Sequence, residues 1–293
     1  MTYKRRDFLK TVSVLGTGVA LSPVINMAGC KAAGASGKIN DNFGLQLYTL
    51  RDVLPNDPKG VLTQVASFGY KQIESYEGAQ GMFWGMTNTE FKKFMDDLGM
   101  KIVSSHVDIN KDFDRKVAEA AAIGMNYLIC PWLGPQKTLD DYKKAADTFN
   151  NRGEICKKNG LRFAYHNHDY SFVALDGQMP QDVMMQNTGK DLVDYEMDIY
   201  WVVAAGQDPI AWFNKYPDRF RLGHVKDRKK NAPLSDKNAS TVLGTGSINF
   251  PEILKAAESK GMDYFIVEQE LYENTTPIEA AKADAAYMKT IRI

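Results

Sequence analysis

LRFAYHNH, residues 161–168, is an apolar run that stops at two histidines, His166 and His168, and the same punctuation returns along the chain. YKQIES reaches Glu74, KIVSSH ends at His106, LVDYEMD ends at Asp198, FRLGHVKD carries His224 and Lys226, and DYFIVEQE closes on Glu268 and Glu270. FGLQLYT (43–49) and NYLICP (126–131) bring the runs to eight. Short apolar runs bounded by polar residues read as buried strands. The amphipathic stretches between them, 58–68, 90–98, 113–123 and 140–158, read as helices. Thr87 and Glu90 have capping-box spacing, and Gly69, Gly99, Gly124, Gly160 and Gly261 each stand where a helix ends before the next strand.

Strand and helix alternating eight times over roughly 250 residues predict the α/β class and a (β/α)8 TIM barrel. A doubly wound sheet would call for a glycine-rich first turn, and no GxGxxG follows the first run. GTGS at 244–247 is a weak candidate for a phosphate-binding nest. Parallel strands all point one way, so the residues ending them gather at one mouth. Histidines and carboxylates brought together there are the ligand types of a mononuclear metal site. Longer segments after Glu74, His168 and Lys226 lie on that same face. So do Tyr48, Trp84, Trp132 and Trp201, whose rings have the form to stack on a sugar, with packing as the competing role for any single one.

Thirty-six basic residues balance thirty-six acidic ones in the 293-residue chain, which lacks the basic footprint of a nucleic-acid binder. A small-molecule partner fits better. Cys30, Cys130 and Cys156 show no paired spacing, so neither a disulfide framework nor a cysteine zinc site is expected. Residues 1–38 read as a different material from 39–293. KRRDFLK (4–10) precedes the small-residue apolar run 11–25, then NMAGC (26–30) and a linker. The Arg5–Arg6 pair resembles a Tat export signal, although Lys4 stands where Ser or Thr is usual, and Met27 to Cys30 resembles a loose lipobox. The expectation is an exported protein, periplasmic or attached to a membrane through lipidated Cys30, with cleavage without lipid, or a cytoplasmic protein whose basic start is accidental, as the alternatives.

Gln46-Leu-Tyr-Thr, Ser-Ser-His106, Tyr-His166-Asn-His168-Asp, Asp198-Ile-Tyr-Trp201, His224-Val-Lys226-Asp and Val-Glu268-Gln-Glu together resemble the sugar phosphate isomerase/epimerase family of xylose isomerase-like TIM barrels, grouped with AP endonuclease family 2. The resemblance runs over nearly all of residues 42–290. It implies one divalent ion, Mn, Zn, Co, Mg or Fe, held by Asp198, His224 and Glu268, with His166 where the family usually has glutamate. It also implies that Glu268, His106, His168, Glu74 and Lys226 are the candidates for proton transfer, and that Gln46, Tyr48, Trp84, Trp132 and Trp201 face substrate. A supporting hydrogen-bonded role competes for His106.

The function expected from this set is a metal-dependent isomerase or epimerase working on a keto sugar through an enediolate. Epimerases of the family use two glutamates on opposite faces of the carbon, and His166 breaks that pair. A histidine there resembles inosose dehydratase-like members, so a lyase or hydratase eliminating beside a 3-keto group is the rival. A non-catalytic sugar-binding lipoprotein is the reading from another class. An abasic-site endonuclease would need more than four histidines and a basic surface.

Overall fold

A computed structural model describes Ile39 and residues 42–292. The export and lipidation motifs, Cys30 included, lie outside the described residues. Eight parallel strands close into a barrel: β1 (Gly44–Gln46), β2 (Gln72–Tyr76), β3 (Lys101–His106), β4 (Tyr127–Cys130), β5 (Arg162–His166), β6 (Val193–Asp198), β7 (Phe220–Val225) and β10 (Tyr264–Val267). A two-stranded hairpin, β8 (Asp227–Arg228) with β9 (Ser240–Thr241), stands between the last two. The closed order β1-β2-β3-β4-β5-β6-β7-β10 removes every sheet edge and puts all C-terminal strand ends on one side.

The helices on the outside are α1 (Pro58–Phe68), α2 (Asn88–Asp97), α3 (Phe113–Ala122), α4 (Leu139–Lys158), α5 (Pro180–Gln186), α6 (Ile199–Ala204), α7 (Pro209–Lys215), α8 (Phe250–Ser259) and α9 (Pro277–Met288). Thr87 and Glu90 close the capping box at the start of α2. All five of the glycines expected at helix ends have positive φ, the region an L side chain disfavours. Beyond residue 158 the sequence marked only a helix end at Gly261, whereas five helices follow. Three of these, α5, α6 and α7, are six or seven residues long, too short to show a 3.6-residue period.

The apolar residues divide into two bodies. The larger packs helices on the outer face of the barrel; α1, for example, buries Val61, Leu62 and Val65, each contributing about 1.5–3 kcal/mol. The smaller, Tyr127, Ile129, Ala164 and Leu222 with Tyr264 against them, fills the lower barrel interior. Ile129 pairs with Ala164, and Leu222 with Tyr264, so these side chains form a plug across the barrel. The polar residues of the mouth rest on that plug.

Two departures from regular pairing matter for the mouth. The β2–β3 register shifts between Ile73 and Glu74, and the β6–β7 register shifts between Tyr195 and Glu196. Each shift sits beside a buried carboxylate, where an extra residue on the neighbouring strand re-aims side chains.

Candidate metal centre at the barrel mouth

Alternation along β6 turns Glu196 and Asp198 to the same inner face. Asp198 ends the strand and caps α6, its Oδ1 accepting from the Trp201 amide at 3.1 Å. Asn167 holds its backbone on the other side, accepting from the Asp198 amide (3.2 Å) and donating to its carbonyl (3.3 Å). Oδ2 of Asp198 is thereby aimed inward. It lies 3.9 Å from Nε2 of His166, 3.9 Å from Nδ1 of His224 and 2.7 Å from Nζ of Lys226. Glu268, just past β10, brings Oε2 to 3.1 Å from His224 Nδ1 and 3.0 Å from Lys226. Asp198, His224 and Glu268 thus offer one ligand atom each within 4.8 Å of one another.

A second layer lies beneath. Glu74 on β2 accepts from Gln46 (2.7 Å), from Ser104 (2.6 Å) and from Nε2 of His224 (2.7 Å). Glu196 Oε2 meets Nε2 of His106 at 2.8 Å and Nδ1 of His166 at 3.0 Å, while its Oε1 is buried without a partner. His106, His166, Glu196 and His224 form the second group with ligand geometry. His224 belongs to both layers, one ring nitrogen facing each.

Burial opposes charge on Lys226, but Asp198, Glu268 and Glu270 outweigh it and hold the ammonium well above its ordinary range. Burial likewise opposes charge on Glu268, and Lys226 and His224 reverse the effect, keeping it ionised. Burial pushes Asp198 up from its usual value despite Lys226. Glu196 rises to about 7 through burial and the neighbouring Glu74. His106, against two carboxylates, is pushed up to about 9 in spite of burial, and His224 is held well above the ordinary imidazole value by Glu196, Glu268 and Glu74 against the effect of burial. Burial and the positive charge around them hold His166 well below the imidazole value and His168 down at about 3, so both are neutral.

Of the residues implied as ligands, Asp198, His224 and Glu268 come together. His166 sits at their edge, within reach of Asp198, and is bonded downward to Glu196. Glu74 is a lower-layer residue with both oxygens engaged, and His106, also in the lower layer, turns Nε2 to Glu74 and Glu196. Gln46 is buried and spends its amide on Glu74 and its carbonyl on the Tyr48 amide. Trp84 is corrected from a rim residue to a packed one: it is 3% exposed, donates to Ser75 Oγ and lies edge-on to Tyr76. Tyr48 (40% exposed) and Trp132 (58%) do stand open. Trp132 meets His168 edge-on at 4.5 Å, and Trp201 flanks the same ring at 5.4 Å. A cavity of about 150 Å³ beside the centre is lined by Arg51, Trp201, Lys226, Lys237 and Glu270, among others.

The glycine-rich GTGS segment holds no free nest. The amides of Gly244, Gly246 and Ile248 donate to the carboxylate of Asp227, an anion supplied by the chain itself. Sequence reasoning passed over Glu196 and Asn167. Glu196 carried a usable signal, since it stands two residues before Asp198 and therefore on the same strand face.

A sequence model described as the xylose isomerase-like TIM barrel matches residues 62–291. A solved sugar phosphate isomerase/epimerase from Parabacteroides distasonis is 30% identical, with a TM-score of 0.73 over 88% of this chain and 98% of that one. Inosose dehydratase of Lacticaseibacillus casei is 30% identical over 149 residues, 46% of this chain and 49% of the relative, so the chain spans about half the length of that curated relative. A xylose isomerase-like TIM barrel protein from Mycobacterium smegmatis, solved with magnesium, is 14% identical, with a TM-score of 0.64 over 85% of this chain and 95% of that one, and shares the fold. The family match begins before β2 and ends after α9, taking in seven of the eight barrel strands: this chain belongs to the xylose isomerase-like TIM barrel family.

Proposed function

We propose that the chain is a divalent-metal-dependent enzyme that enolises a polyhydroxylated ketone, a keto sugar or close analogue, and then eliminates a β substituent from it. The observation that carries this reading is the asymmetry of the mouth. Its two upper carboxylates, Asp198 and Glu268, converge on one ammonium, while the other side presents the neutral imidazoles of His166 and His168. An epimerase needs a base on each face of one carbon. Elimination needs one base and one acid.

The residues fit an ion. Asp198, His224 and Glu268 supply a mixed nitrogen and oxygen donor set, and Asp198 Oδ2 is buried and accepts no aligned hydrogen bond despite the ammonium 2.7 Å away. Those three, with His166 at the edge, would hold it. Such an ion polarises a carbonyl and stabilises negative charge developing on its oxygen. Among the described residues, His168 is the one histidine with no carboxylate against its ring, and its Nδ1 is buried without a partner there. We assign proton removal from the carbon beside the carbonyl to His168. Lys226, held charged, donates a proton to the departing oxygen. Trp132 and Trp201 flank His168 and shield that transfer from water. The names of the curated relatives support a dehydratase; the isomerase/epimerase reading draws on the Parabacteroides structure.

The test is a 3-keto-glycoside or keto cyclitol incubated with metal-loaded protein in deuterated water. Release of the leaving group is expected, with deuterium at the α carbon of recovered substrate, since the eliminated product keeps no hydrogen there. An inverted centre or moved carbonyl without release would return the assignment to an epimerase or isomerase. Neither exchange nor release would leave a sugar-binding protein. We also propose export, with lipid on Cys30; labelled fatty acid incorporated by the full chain and lost in Cys30→Ala is the expected result.

A further inference from the structure

Each histidine that faces the upper centre rests its other nitrogen on a buried carboxylate. His224 turns Nδ1 up to Glu268 and Asp198 and Nε2 down to Glu74; His166 turns Nε2 up to Asp198 and Nδ1 down to Glu196. Glu74 and Glu196 stand beside the two register shifts in the barrel, so the backbone is locally re-aimed at both. We propose that Glu196 is a positioning residue: by accepting from Nδ1 of His166 it fixes that ring's tautomer and turns a bare Nε2 toward Asp198, as Glu74 does from below for His224.

The lower layer has the spacing of hydrogen bonds, which separates this proposal from a second metal site. Two ligands held 2.0–2.1 Å from a tetrahedral zinc sit roughly 3.3 Å apart. Glu196 Oε2 lies 2.8 Å from His106 and 3.0 Å from His166, and Glu74 Oε1 lies 2.7 Å from His224, all closer than that; His224 Nε2 to Glu196 Oε2, at 3.3 Å, is the one lower pair at the co-ligand spacing. The upper pairs to Asp198, at 3.9 Å, leave room for an ion between them, and Glu268 Oε2, 3.1 Å from His224, has only to draw back slightly to join. Nor is Glu196 a donor here. All three imidazole contacts, from His106, His166 and His224, fall on Oε2, so any proton the carboxyl carries resides on the unpartnered Oε1, leaving Oε2 to accept. A ligating imidazole whose second nitrogen is held this way is oriented and made more basic, and losing the partner typically weakens metal binding about 10–100-fold.

The consequence for metal rests on the reading given above; the tautomer rests on hydrogen-bond geometry alone, and the experiment keeps the two apart. Histidine-selective ¹⁵N NMR of the metal-free full chain reads the tautomer, and competition with a chromophoric chelator reads zinc affinity. The wild type is expected to show His166 protonated at Nδ1. Glu196→Ala is expected to lose that preference and to bind zinc about 10–100-fold more weakly, while Glu196→Gln, which keeps an acceptor oxygen, retains the tautomer. His166 protonated at Nε2 in the wild type, or a tautomer and zinc affinity unmoved in a folded Glu196→Ala, overturns the proposal. So do two zinc ions bound by the wild type and one by the variant, because Glu196 would then be a ligand. A wild type that binds no zinc defeats the metal reading, and the NMR result then decides the role of Glu196 alone.

Discussion

The two ends of the barrel bury charge in opposite ways. At the lower end Arg162 grips Asp194 with two bonds of 2.6 Å, Tyr127 adds a third at 3.0 Å, and the guanidinium also donates to the Lys190 and Asp191 carbonyls. Arg221 pairs with Asp263 nearby. Both oxygens of Asp194 have their donors. At the mouth Glu74, Glu196, Asp198 and Glu268 crowd around Lys226 and three imidazoles, and oxygen atoms of Glu196 and Asp198 have no aligned partner. Matched charge holds a fold together, whereas crowded like charge is a cost retained where a bound cation or a substrate relieves it.

The hardest blow to that contrast comes from Asp198→Ala or Glu268→Ala. Turnover is expected to fall about 10³-fold or more and bound metal to drop with it, while the melting temperature holds or rises because crowding is relieved. Metal analysis beside thermal melting checks both; full metal content in both variants would end the idea that these carboxylates are ligands. Lys226→Met is next, with turnover reduced about 10²–10⁴-fold through loss of the acid. Zinc affinity should rise in the same variant, since the ammonium now competes for Asp198 and Glu268. Weaker zinc binding would mean that Lys226 orders the carboxylates.

Asp194→Ala tests the lower end. Arg162 is partly solvated, its side chain 35% exposed, so the expected loss is about 1–3 kcal/mol in denaturant melts with zinc binding unchanged. A change in metal affinity would show that the two ends are coupled. The smallest effect is expected at Asp284 on α9, where burial lifts the carboxyl to about 8 and Oδ1 accepts from the Leu243 amide. Its folded value lies above the unfolded one. The stability it contributes is therefore full below about pH 4 and is lost as pH rises toward 8. Asp284→Asn should flatten the stability profile across that window and gain relative to wild type at pH 9. Parallel profiles would show that Asp284 ionises freely.

The sequence by itself determined the barrel, because each strand is a local apolar run and each early helix a local period. It also determined that Asp198, His224, Lys226 and Glu268 share one end, since a parallel sheet permits nothing else. Tertiary structure alone decided the division into two layers. Whether an inner residue reaches the mouth or stops beneath it depends on strand register, and the shifts at Ile73/Glu74 and Tyr195/Glu196 arise from pairing with a second strand. Glu196 sits inside an apolar run and Trp84 in a polar loop, yet the first joins the centre and the second is packed away. Burial and charge pairing between segments 90 or 150 residues apart, as in His106 with Glu196 and Glu74 with His224, are written in no local stretch of the chain.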